Sequence, residues 1–168
     1  ATAKINTSES LVKRSSTLFK KKLKEPTSNF LFSPLMVIGL LAILILFITY
    51  RDFKNNTRSK WLDVTLFGIT GSIGILLLLL WFATDHSATA QNYNVLWAVP
   101  LNLFVIGQVL KPQVKLWFKG YLKFLIIMLC LLTLHWIIGV QVFAIGLIPL
   151  LIALLVRYVF LLKVFNKA

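Results

Sequence analysis

Polar and apolar residues along this chain separate into blocks. After a polar opening of 29 residues come five apolar runs, at about Phe32–Tyr50, Val64–Phe82, Val95–Leu110, Tyr121–Ile138 and Val142–Leu162. An α-helix rising ~1.5 Å per residue needs about 20 residues to cross ~30 Å of hydrocarbon. The third run is the shortest and carries Pro100, Asn102 and Gln108. In lipid the backbone must satisfy its own hydrogen bonds, so these runs are expected to be helices, not strands. The expected fold is all-α: a polytopic transmembrane bundle of about five spans over residues 30–168. Pro34 falls near the start of the first span, where proline is tolerated. Pro149 falls inside the fifth.

The opening segment, residues 1–29, has its own pattern. Leu11, Leu18, Phe19 and Leu23 fall on one helical stripe, with lysines and Arg14 mostly elsewhere. A basic interfacial helix fits this spacing, and so does a plain linker; Pro26 ends any such helix.

Composition supports the membrane reading. The hydrophobic fraction is 58%, above the roughly 45–50% of soluble domains. Mean hydropathy is +0.85. The chain has 18 Lys and Arg against 5 Asp and Glu. The bases lie in the tail and between apolar runs, which suits topology signals and membrane lipids as partners; nucleic acid is not expected.

Their distribution gives an orientation. Arg51, Lys54, Arg58 and Lys60 follow the first span, Lys111, Lys115, Lys119 and Lys123 surround the third loop, and Arg157, Lys163 and Lys167 lie toward the end. Alternate loops share a side, and the loops on the other side carry no base. The positive-inside rule then puts the C-terminus in the cytoplasm and residues 83–94 in the periplasm. The basic tail also falls outside. That is expected if it follows a larger exported domain, because long translocated segments cross largely regardless of charge.

Span two, "FGITGSIGILLLLL", brings Gly68, Gly71, Ser72 and Gly74 together with Thr70. Small residues let helix backbones approach closely, so this face is expected to pack on another span of the same chain. Almost no charge is expected within the spans, and no internal repeat occurs, so ion-coupled transport has little basis.

The polar island between spans two and three holds Thr84, Asp85, His86, Ser87, Thr89, Asn92 and Asn94, followed by Trp97, Pro100 and Asn102. Thr, Asp, Ser and Asn form turns and caps that satisfy free backbone groups. Two readings stay open. One is a rigid polar connection. The other is a small exoplasmic cup for a lipid headgroup, a lipoprotein or a preceding domain. Cys130 and His135 are about 140° apart around span four; no Cys–His pair is expected, and Cys130 is expected to be a buried apolar residue. One Asp and two distant His do not make a metal site. With no Gly-rich phosphate loop and no HExxH, neither a metal nor another cofactor is expected, and no catalytic residue is assigned.

The run "RSKWLDVTLFGITGSIGILLLLLWFATDHSATAQNYNVLWAVPLNLF", Arg58 to Phe104, resembles the C-terminal membrane region of a bacterial family first known as a domain of unknown function. That family is now linked to the Lnb-type lipoprotein N-acyltransferases. "LVKRSSTLF" and "TSNFLFSPL" are similar to its connector. The resemblance implies an envelope protein of the Gram-negative inner membrane, with an exported N-terminal domain above this bundle. In the family that domain is thought to use Cys and His to move an acyl chain onto a lipoprotein; its residues have no counterparts in this sequence. The chain is therefore expected to be a membrane anchor, and a module that presents substrate, within such a protein. The alternative is a non-catalytic structural subunit of a larger inner-membrane assembly with envelope protein partners.

Overall fold

The structure is a computed structural model that describes residues 33–84 and 91–167. The basic segment 1–29 lies outside the described residues. Among those described there are five α-helices and no strand: α1 (Pro34–Lys54), α2 (Lys60–Phe82), α3 (Ile106–Val109), α4 (Leu116–Ile138) and α5 (Ile148–Lys167).

Four stretches are long and apolar enough to cross a membrane: α1, α2, α4, and the run Ile145–Asn166 that contains α5. Their apolar residues point outward as well as inward. Phe47 is 62% exposed and Leu79 55%. Such surface would associate in water; facing acyl chains it carries no such penalty. The chain is a multi-pass membrane domain.

Local signals set the helix ends. Ser33 caps α1, its Oγ accepting from Met36 N at 3.3 Å, and Pro34 takes the first helical position, where its missing N–H costs nothing. Pro149 lies inside the fifth span, as expected, but near the start of its helix. It is the second residue of α5, and a 3-10 turn at Ile145–Leu147 leads into it. Gly139, at φ 80, ends α4 in the left-handed conformation that glycine adopts without strain.

The third run departs most from expectation. Instead of one helix it forms a 3-10 turn at Tyr93–Leu96, a second at Pro100–Asn102, and the single turn α3. Proline disfavours α geometry in the residue before it, and Val99 is extended at φ −75, ψ 120. The segment still passes from one end of the bundle to the other. Tyr93 packs on His135, in the last turn of α4. Val109 O accepts from the guanidinium of Arg58, just before α2. The third crossing is therefore a broken one, antiparallel to α2. Non-helical backbone at membrane depth is tolerated where protein buries it.

The small residues of α2 make that burial possible. A Cβ on Gly71 would lie 2.7 Å from Leu103 N; one on Gly74 would collide with Ala98 O and lie 2.7 Å from Pro100 N. Gly68 approaches Ile106 less closely, and Ser72 is exposed on the opposite side. The broken segment thus lies in a trough of bare backbone.

α1 and α5 run parallel, Leu35 beside Gly146 at one end and Phe53 under Lys163 at the other. Phe67, Phe118, Tyr158 and Phe165 form an aromatic core between α2, α4 and α5. Cys130, expected to be buried, is exposed.

Candidate functional site

Polar side chains meet inside the bundle at three levels. The end carrying Lys54, Arg58 and Lys163 is called the basic end, and the end carrying Tyr93 and Gln141 the far end.

At the basic end Arg157 is fully buried. Its Nε donates to Asp63 at 2.7 Å and its Nη1 to Asp52 at 2.9 Å. Nη2 donates to Ser59 O at 3.2 Å, and Nη1 also reaches Thr49 Oγ1 at 3.4 Å. Both carboxylates are wholly buried. Asp52 accepts further bonds from Ser59 N and Ser59 Oγ, both at 2.8 Å, which folds the α1–α2 loop back onto α1. Arg58 lies 3.3 Å from Asp63. That contact lacks hydrogen-bond alignment and acts through charge. Burial pulls the Arg58 guanidinium below the usual arginine range, and Asp63 opposes the fall. Two carboxylates thus balance two guanidiniums. The four charges neutralise one another, and the group braces α1, α2 and α5.

This corrects one expectation: Arg157, counted as a topology signal, is a buried partner of two carboxylates and not an exposed loop base. The sequence held a signal: Arg157 interrupts the run "IALLVRYVFLL", and Asp52 and Asp63 are two of only five acidic residues. A charge within a span implies a partner.

At mid-depth Asn102 is fully buried. Its Nδ2 donates to Thr70 Oγ1 at 2.8 Å, and its Oδ1 accepts from Tyr121 OH at 2.5 Å. Thr70 Oγ1 donates to Leu66 O at 2.7 Å. Asn102 thereby pins the second 3-10 turn to α2 and α4. The Tyr158 hydroxyl is buried and has no hydrogen-bond partner among the described residues.

The far end receives the rest of the sequence-derived set. Asn92 Oδ1 accepts from Asn94 N at 3.1 Å and Asn94 Nδ2 at 2.8 Å. Asn94 Oδ1 accepts from Trp97 Nε1 at 2.9 Å. Gln141, in the α4–α5 connection, accepts from Tyr93 N at 2.9 Å and approaches Asn92 Oδ1 at 3.5 Å. The Tyr93 and His135 rings are 5.0 Å apart. Thr84 is exposed and bonds back to Leu80 O at 2.6 Å. Asp85, His86, Ser87 and Thr89 lie outside the described residues. The structure therefore joins Asn92, Asn94 and Trp97 into one network, keeps Asn102 a level below, and places Pro100 against Gly74. Gln141, which ties the two far-end connections together, was not singled out from sequence.

Among the described residues no cluster of three or more His, Cys, Asp or Glu could hold a metal. Four long helices, a broken crossing seated on bare glycine backbone and a charge-balanced internal brace define a polytopic helical membrane domain. A family model described as the Lnb transmembrane domain matches residues 25–168, and the chain belongs to that family of five-helix transmembrane domains. No curated protein and no solved structure is significantly similar to the chain.

Proposed function

We propose that this domain anchors an Lnb-type lipoprotein N-acyltransferase in the bacterial inner membrane and presents substrate to it from the far end. The family match carries the anchoring role. The presenting role rests on the network of Asn92, Asn94, Trp97 and Gln141, which fixes both far-end connections relative to the bundle. A fixed rim beside the membrane surface gives an exported domain a defined place to meet a lipoprotein. The far end faces the periplasm in this reading, which the positive-inside bias of the basic loops supports.

The test is N-acylation of a lipoprotein by the full-length protein carrying Asn94→Ala, Asp85→Ala or His86→Ala. Loss of activity with normal membrane insertion supports presentation. Unchanged activity reduces the far end to architecture and leaves only the anchor.

A further inference from the structure

Two cavities at the basic end are unused by anything described so far. The first, about 590 Å³, is lined by Lys54, Asn56, Thr57, Arg58 and Lys163 among others. The second, about 520 Å³, runs down the outer seam of α1 and α5, past Leu46, Tyr50, Val156 and Val159. Phe53, Phe160 and Lys163 line both, so the two adjoin.

Their chemistry differs in a directional way. The upper cavity carries three cationic side chains. Its one acid, Asp52, is already held by Arg157 and Ser59. Lys54 is exposed and has no ion pair or hydrogen bond among the described residues. The Lys163 ammonium sits 4.3 Å over the Phe53 ring, at the junction of the two cavities, with no carboxylate partner. The lower cavity is almost entirely apolar and opens toward the lipid phase. Val156 and Val159 on its wall are exposed. A cationic mouth above an apolar slot at the membrane boundary matches one kind of molecule: an anionic head joined to an acyl chain. Basic pockets between transmembrane helices take up such headgroups.

We infer that this cleft binds one anionic glycerophospholipid of the leaflet on the basic side. Its phosphate lies between Lys54 and Lys163, its polar head reaches Asn56 and Thr57, and the upper part of one acyl chain lies along Val156 and Val159. This inference is independent of any role in acyl transfer, since it concerns the opposite end of the bundle from the far-end network.

Native mass spectrometry of the purified chain in detergent tests it, with phosphatidylglycerol, phosphatidylcholine or glycerol 3-phosphate added at equal concentration. One retained phosphatidylglycerol, well above phosphatidylcholine, is expected. Lys54→Gln/Lys163→Gln should lower its occupancy about tenfold, in line with the attraction of paired cations for an anionic lipid. Lys163→Arg should retain it. Val159→Trp, on the exposed wall, should displace the lipid while both lysines remain. Equal retention of the two lipids, insensitivity to the lysine pair, or competition by glycerol 3-phosphate as strong as by lipid would overturn the assignment.

Discussion

Arg157 and Asp63 stand 94 residues apart in sequence and 2.7 Å apart in space, both buried beyond reach of solvent. Asp52 holds the other side of the same guanidinium. Removing one partner of a buried pair strands the other charge, at a cost of about 3–5 kcal/mol. Arg157→Met should therefore destabilise the domain by that order, read as a lower unfolding midpoint in detergent. Asp52→Asn added to Arg157→Met, which leaves Asp63 paired with Arg58, should recover part of the loss. If this double variant is no more stable than the single one, Asp52 and Arg157 do not act as a unit.

Gly74 and Gly107 offer a matched comparison. A Cβ on Gly74 would collide with Ala98 O, whereas one on Gly107 would meet nothing within 4 Å. Gly74→Ala should force the broken segment off α2, at a cost of about 1–3 kcal/mol by the overpacking rule. Gly107→Ala should leave the thermal midpoint unchanged or raised. Equal midpoints for the two variants would show that the trough is not a tight contact.

Asn102 serves α2 and α4 at once. Asn102→Leu removes the partner of Tyr121 OH and one partner of Thr70 Oγ1. Each buried polar group left unpaired costs about 1–3 kcal/mol. Amide exchange in Pro100–Val109 should accelerate more than in α1. A uniform effect along the chain would place the role of Asn102 elsewhere.

Orientation has a direct assay. In a Cys130→Ser background, which leaves the introduced thiol as the chain's one cysteine, an impermeant thiol reagent in cells with a permeabilised outer membrane should label Ala88→Cys and miss Lys60→Cys. The reverse pattern would invert the topology and move the far end to the cytoplasm.

Much of the fold follows from hydropathy because four crossings are long enough to announce themselves. α2 ends at Phe82 and α4 at Ile138, where the apolar runs end. Their starts lie before the apolar runs, because α2 takes in Lys60 and Asp63 and α4 takes in Lys119. The third crossing was legible as a place but not as a shape. Pro100 signals a break, yet sequence alone does not show that Gly71 and Gly74 open a channel for the broken backbone. The Arg157 brace was hidden for a related reason. Its carboxylates lie in the last turn of α1 and the first turn of α2, where a charge reads as an ordinary surface residue until a third helix covers it. The far-end network was half visible. Asn92 and Asn94 stood out as caps, but Gln141 comes from 47 residues beyond Asn94, and only folding brings it there.

The broken third crossing also bears on how the protein is made. Much of its backbone bonding is confined to short turns, and its buried amide depends on α2 and α4. A segment of that kind cannot partition into the bilayer alone as it leaves the translocation channel. Its place in the bilayer is held open by its neighbours, the bare backbone of α2 on one side and Tyr121 of α4 on the other.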